Sequence, residues 1–244
     1  MHGSQLPYRY WFIAIHLLTS TKKSFSASEL QRQLGHSTYH PIRALLHKLR
    51  MAMGKRDSKY SLEEVIELDE GFFTTETGEN EKDKPLKRGR GSQRKTKVVI
   101  MAESSLSTKK GKLRNVGHIK MFVIEDLKAE TINSKVSGNI GKNSMIDSDH
   151  STSYTNFHTL VREHRPKVIP KNEVGKMLPW VHIVISNAKR ILLDIFHDVQ
   201  SEYLQSYLNE FCYKFNRRYF GEKMFDKLMI VAVNYKNQIK YNIR

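Results

Sequence analysis

The sequence predicts an α/β protein preceded by a small helical domain. Three observations lead to this class. Apolar residues recur at helical spacing through 1–58, short β-branched and aromatic runs follow between 65 and 149, and helical spacing returns over 175–219. The 244 residues are 39% hydrophobic and 27% charged, which suits one or two domains with a sizeable core.

The first two helices are short. Trp11, Ile15 and Leu18 share one face of a helix over about 8–19. A capping box at 26–29, in which a serine oxygen accepts the amide three residues on, begins a second helix. Gly35 follows that helix and predicts its end.

The third helix has an apolar stripe from Ile42 to Met53 and basic residues on its other faces, among them Arg43, Lys48 and Arg50. Three short helices with a basic last one favour a helix-turn-helix domain, whose last helix enters the DNA major groove. A helical bundle with solvated cations remains the alternative.

The β-rich middle predicts a strand at 65–73, with further strands at 97–102, 118–124 and 144–149 and a helix at 131–139. This is an α/β order of elements.

Two of the predicted strands carry carboxylates. Asp69 lies within the first strand and Asp149 ends the fourth. A buried carboxylate is costly unless it is paired or binds a metal, and Mg²⁺ takes one or two carboxylates together with water and phosphate. The residues alone leave two interpretations open: a shared divalent-cation site, or an acidic strand edge with a capping aspartate.

Two helices are predicted at 175–196 and 201–219. The first places His182 and Lys189 on one face with Asn187 beside it, a polar stripe that is usually the solvated side of a helix. The second carries a dense aromatic stripe typical of a core helix.

The chain is strongly basic, with 41 Lys and Arg against 25 Asp and Glu, a net charge of +16 and a pI near 9.8. This charge predicts a polyanionic partner, and nucleic acid is favoured because no lipid-anchoring motif is present. The polar stretch 74–96, which holds most of a basic block at 82–97, is interpreted as a flexible insertion.

Several classes are excluded by what the sequence lacks. The single cysteine, Cys212, rules out disulfide frameworks and cysteine-based zinc sites. No apolar run has the length of a membrane span, and 11–18 is too short for a signal peptide and lacks a cleavage site. The chain is therefore expected to be soluble and intracellular.

Six stretches of the sequence resemble one protein family and occur in the family's order along the chain. They read LPYRYWF at 6–12, SASELQRQLG at 26–35, IELDE at 66–70, SDHSTSY at 148–154, LPWVHIVISNAKR at 178–190 and YLNEFCYKFNRR at 207–218. The sequence resembles the ISXO2-like family of DDE-type insertion-sequence transposases over nearly its whole length, most weakly at 74–97 and after 220.

The resemblance implies an RNase H-like mixed sheet flanked by helices. Together with the helical pattern of the first residues, this gives an expected division into a helix-turn-helix-like DNA-binding domain at 1–58, a catalytic domain at 59–220 with a flexible basic insertion at 74–96, and a C-terminal tail at 221–244. The implied reaction is cleavage at transposon ends followed by strand transfer, in which Mg²⁺ or Mn²⁺ activates water and then a DNA 3′-hydroxyl. No zinc is expected.

The implied partner is double-stranded DNA, as terminal inverted repeats and as target, bound by a homo-oligomer in the bacterial cytoplasm at the nucleoid, without a membrane. The expected DNA contacts are all basic: Arg43, Lys48, Arg50, Lys87, Arg88, Arg90, Lys189, Arg190, Arg217 and Arg218.

The third acid of the family pattern is absent. The resemblance places Asp69 and Asp149 as the two catalytic aspartates and Asn187, two residues before Lys189, at the third position. These three are the expected metal ligands, because a neutral amide oxygen suits Mg²⁺ better than imidazole does. His182, seven residues before Lys189, competes for the third place, and Lys189 is expected to bind a DNA phosphate.

A second departure concerns the front of the chain. Relatives often begin with a four-cysteine zinc ribbon, so either this element is lost or the sequence starts inside a longer reading frame. The main alternative to an active transposase is therefore a truncated, non-catalytic DNA-binding remnant or repressor. A general RNA-binding protein is a further alternative, against which the two aspartates argue.

Overall fold

A computed structural model describes residues 1, 4–77, 85–89, 92–106, 114–154, 156–168, 177–196 and 199–235. The three N-terminal helices form where the sequence predicts them: α1 (Tyr8–Ser20), α2 (Ala27–Leu34) and α3 (Tyr39–Asp57). The capping box is confirmed, since Ser26 Oγ accepts the Glu29 amide at 3.0 Å. Gly35 ends α2 with a φ of 62°, a left-handed conformation that favours glycine.

Five strands and one helix make up the middle of the chain: β1 (Val65–Thr74), β2 (Lys95–Leu106), β3 (Arg114–Ile124), α4 (Ala129–Ser137), β4 (Met145–Asp149) and β5 (Glu163–Lys167). They form one sheet in the order β3-β2-β1-β4-β5. The first three strands are antiparallel, whereas β4 is parallel to both β1 and β5. The expected RNase H-like mixed sheet is confirmed, with β1 at its centre.

Helices cover both faces of the sheet. Helices α5 (Pro179–Ile195) and α6 (Ser201–Asn216) share an apolar core with the face that presents Phe73, whereas α4 packs on the opposite face around Leu68. Among the described residues, no helix is both long and apolar enough to cross a membrane.

The 221–244 segment, expected to be a tail, contains a further helix, α7 (Lys223–Asn234). Leu228 and Ala232 of α7 lie in the same core as Trp11 and Ile15 of α1. The last described helix thus completes the N-terminal helical layer. The division of the chain at 58 and 220 stays a prediction.

Buried ion pairs join α3 to α6. Arg50 Nε lies 2.8 Å from a carboxylate oxygen of Glu210, and Arg217 Nη2 lies 2.7 Å from Asp57 Oδ1. All four side chains are at least nine-tenths buried. The expectation that Arg50 and Arg217 contact DNA is therefore wrong, because both guanidinium groups neutralise carboxylates inside the protein.

Candidate active site

Two aspartates lie side by side at the centre of the sheet. The parallel pairing of β1 with β4 aligns Glu67 with Asp147, so two residues further on Asp69 is level with Asp149. Side chains at paired positions point to the same face of a sheet. Asp69 and Asp149 therefore share the face covered by α5, at the carboxyl end of β4.

The acids two residues earlier on the same two strands, Glu67 and Asp147, have partners of their own. Glu67 Oε2 accepts the backbone amides of Trp180 and Val181, at 2.7 and 3.0 Å. Asp147 forms ion pairs on β5, with Arg165 Nε at 2.8 Å and Lys167 Nζ at 3.0 Å.

Glu67 supplies the N-terminal cap of α5. Leu178, at the N-cap position, has no side-chain oxygen, so the first amides of the helix would otherwise lack an acceptor. Burial raises the pKa of Glu67, although the amides of Val181 and Trp180 oppose that shift. This contact fixes the start of α5 against the central strand.

The cap brings His182 to Asp69. His182 follows Val181 directly, and its Nδ1 lies 3.6 Å from Asp69 Oδ2. Lys189 lies two turns further along the same helical face, with Nζ 5.7 Å from the centre of the Phe73 ring. One face of α5 therefore places an imidazole and an ammonium group above the strand that carries Asp69.

Local hydrogen bonds orient both aspartates. Asp69 Oδ1 accepts the amide of Glu70 at 2.8 Å, and Asp149 Oδ1 accepts the amide of Ser151 at 3.2 Å. The Asp69 side chain keeps 18% of its surface exposed.

Asn187 lies on another side of α5. It lines a cavity of about 1090 Å³ bounded by α1, the segment after α1, α5, α6 and α7, and no lining residue comes from β1 or β4. Residues five apart are separated by roughly 140° around a helix. The structure thus brings His182, and not Asn187, to Asp69, and the expectation that Asn187 shares a metal with the aspartates does not fit this position.

The remaining expected DNA contacts differ in exposure. Arg190 is exposed, as are Lys87 and Arg88, while Arg43 and Lys48 are half-buried. Arg90 lies outside the described residues.

Two of these cations have partners within the protein. Arg43 lies over the ring of Tyr203, 4.6 Å from its centre. The half-buried Arg218 donates to the carbonyl oxygens of Val116 and Gly117, at 2.6 and 3.3 Å.

The donor set suits a hard cation. Within the described ranges, no three His, Cys, Asp or Glu side chains are grouped closely enough to hold a metal ion. Mg²⁺ is commonly bound by one or two carboxylates, with water and substrate phosphate completing its shell. The pair Asp69 and Asp149 fits this pattern.

Sequence reasoning missed the cations on β5. Arg165 and Lys167 are level with Asp147 and Asp149 and line the same sheet face. Pro166 between them argues against a strand interior but is tolerated on an edge strand, which is where β5 lies. The period-two spacing of the two cations was the available signal.

Residues 61–216 match the family described as the ISXO2-like transposase domain. The chain belongs to this family. The match spans the whole sheet, α5 and α6, and therefore includes Glu67, Asp69, Asp147 and Asp149. The resemblance noted in the sequence is thereby confirmed at the level of the family. No curated protein matches this transposase at the level of sequence.

Solved transposase complexes resemble the chain only distantly. A pre-cleavage Mos1 transpososome is 12% identical, with a TM-score of 0.32. The Mos1 mariner paired end complex with Mn is 13% identical, with a TM-score of 0.37. Both alignments cover 97% of this chain and 82% of the other. At these TM-scores the likeness carries no argument about function.

Proposed function

We propose that this transposase cuts DNA at the ends of its mobile element and joins the freed ends to target DNA, with Asp69 and Asp149 as ligands of a divalent cation. One observation carries the proposal. The strand register sets Asp69 level with Asp149 on the face under α5, and both residues are only half-buried.

A bound Mg²⁺ or Mn²⁺ would polarise the scissile phosphate and lower the pKa of an attacking hydroxyl group. The protein's part is to hold the reacting groups. Asp69 and Asp149 supply hard oxygen donors, fixed by the amides of Glu70 and Ser151. Preorganised donors of this kind need no reorganisation when charge develops.

We assign His182, and not Asn187, to the place beside Asp69, where its Nδ1 lies 3.6 Å from Asp69 Oδ2 and orients that carboxylate without being a third metal ligand. Glu67 acts indirectly: it holds the first turn of α5 and thereby sets the place of the imidazole. Lys189, on the same helical face, is suited to bind a phosphate of the reacting strand.

The partners follow from charge and reaction. A net charge of +16 favours DNA, and exposed cations such as Arg190, Lys87 and Arg88 are available to phosphates. Joining two transposon ends to one target requires both ends to be held together. We therefore expect a homo-oligomer on terminal inverted repeats, working at the bacterial nucleoid.

The test is metal-dependent nicking of a DNA duplex that contains one end of the mobile element in which the gene lies. Asp69→Asn and Asp149→Asn should each lower the rate by roughly a hundredfold or more, because an ion at this site contributes several kcal/mol of charge stabilisation. Binding to the same duplex should persist. Glu163→Gln, an exposed acid at the other end of β5, is the matched control.

Equal nicking by wild type and both aspartate variants would refute the site. Specific binding of the ends by wild type without nicking, in either Mg²⁺ or Mn²⁺, would instead favour a non-catalytic DNA-binding remnant.

A further inference from the structure

The cavity that holds Asn187 has no place in the cutting reaction proposed above. It lies between the N-terminal helical layer and α5, and residues of α6 also line it. Its volume is about 1090 Å³. Sites that enclose organic ligands commonly measure about 300–1,000 Å³, so a nucleotide with some water has room here.

One wall of the cavity is aromatic. Phe211, Phe215 and Phe225 line it together with Tyr219, whose side chain is 83% exposed. The guanidinium carbon of Arg218 lies over both the Phe215 ring and the Tyr219 ring, 4.4 and 4.5 Å from their centres. Aromatic and guanidinium planes of this kind are the surfaces on which nucleic-acid bases stack.

The lining is also cationic. Lys22 and Arg190 line the cavity and are exposed, and Lys214 lies deeper. Glu210 is neutralised within the protein, by Arg50 Nε at 2.8 Å and Lys214 Nζ at 3.6 Å. Burial favours the neutral form of Glu210, but the two cations outweigh it and hold its pKa below the ordinary value. Glu222, an exposed acid, also lines the cavity. The lining therefore holds four Lys and Arg side chains against two acids, a balance that favours an anionic group.

Asn187 adds an amide to this lining. An amide group has both a donor and an acceptor, and it can pair with the edge of a base. It lies on the same helix as Arg190, three residues away, a spacing that puts both side chains on one face. The lining therefore offers an amide for the edge of a base, aromatic rings for its face and cations for its phosphate.

We propose that this cavity binds one unpaired nucleotide of a DNA strand. Its base would lie against the aromatic wall with an edge toward Asn187, and its phosphate near Arg190 and Lys22. The identification of the strand as DNA rests on the proposed function. Asn187 is then a nucleotide-binding residue instead of a metal ligand.

The experiment uses the full chain without metal and a short single-stranded DNA containing one 2-aminopurine, a base whose fluorescence falls on stacking. Binding should quench this fluorescence. Tyr219→Ala and Asn187→Ala should each weaken binding and reduce the quenching, Tyr219→Ala by roughly tenfold. Arg190→Gln should weaken binding and flatten its salt dependence. Tyr8→Ala and Arg162→Gln, exposed residues away from the cavity, are the matched controls.

Three results would overturn the proposal. The first is unchanged quenching and affinity in both Tyr219→Ala and Asn187→Ala. The second is a raised Mg²⁺ requirement for nicking in Asn187→Ala, which would return this residue to the metal site. The third is loss of self-association in Tyr219→Ala with DNA binding unchanged, which would make the cavity a contact between copies of the chain. Because the binding assay contains no metal, it can succeed even if Asp69 and Asp149 prove inactive.

Discussion

Two regions of this transposase differ in whether their charged side chains remain in contact with solvent. On the sheet, Asp69 of the central strand is level with Asp149 at the end of β4, and both residues stay partly open to solvent. In the helical layer, Arg50 and Arg217 are buried and each is paired with a carboxylate. The two sheet aspartates thus remain in contact with solvent, whereas the charges of the helical layer hold α3 against α6. A basic helix is therefore weaker evidence for a DNA contact than its charge suggests.

The largest expected effect tests the buried pairs. Arg50→Ala leaves Glu210 buried without its main partner, and breaking such a pair costs about 3–5 kcal/mol. Urea unfolding should show a loss of this size, whereas Lys48→Ala, on a half-exposed part of the same helix, should stay close to wild type. The comparison fails if Arg50→Ala keeps its stability and loses DNA affinity instead.

The second prediction concerns pH in the same layer. Burial lowers the pKa of His47 from 6.5 to about 4, with Arg50 and Arg43 adding to the effect. A histidine that folds in its neutral form contributes stability above its unfolded pKa, and the contribution is lost as pH falls through the folded value. A displacement of this size is worth about 3 kcal/mol.

Wild type should therefore lose stability between pH 6.5 and 4, and His47→Gln should lose less. His16→Gln, an exposed histidine on α1, is the control. Parallel curves of unfolding free energy against pH for wild type and His47→Gln would contradict the burial of a neutral imidazole.

The third prediction moves to the sheet. Glu67→Ala removes the cap of α5 and should lower the free energy of unfolding by about 1–2 kcal/mol. Nicking should also be slower, because His182 is no longer held at Asp69.

Glu67→Gln keeps an oxygen acceptor at the cap. Since burial raises the pKa of Glu67, its contribution to stability is present at acid pH and declines as pH rises. Glu67→Gln should therefore match or exceed wild-type stability at neutral pH, as thermal unfolding would show; a larger loss than in Glu67→Ala would exclude the capping role.

The smallest expected effect concerns DNA. Arg43 is half-buried over Tyr203 near the start of α3, the end of a recognition helix that meets bases in a helix-turn-helix. If it contacts one phosphate, Arg43→Gln should reduce the slope of log affinity against log salt by about one. Lys128→Gln, an exposed cation at α4, should leave the slope unchanged, and an equal change in both variants would remove Arg43 from the interface.

The sequence predicted much of the fold because its signals were local. The capping box at Ser26, the glycine at Gly35 and the β-branched runs each determine structure within a few residues. The edge strand β5 was missed because Pro166 interrupts it, and α7 was missed because its apolar face is completed only by α1.

The site was predictable only in part, for a physical reason. Strand alternation places Glu67 and Asp69 on one face, but no sequence pattern tells which acid a distant helix will take as its cap. Helical spacing separates His182 from Asn187, yet which of them faces the sheet depends on how α5 docks. Sequence reasoning left alternatives open, or was wrong, for residues whose roles depend on long-range packing.

Direct binding of Mn²⁺ to the folded chain, followed by electron paramagnetic resonance with and without end DNA, tests the central claim most directly. Wild type should bind the ion, and Asp69→Asn and Asp149→Asn should each weaken binding strongly, while Glu163→Gln binds as wild type does. Undiminished Mn²⁺ binding in both aspartate variants would contradict the assignment of the metal to these two carboxylates.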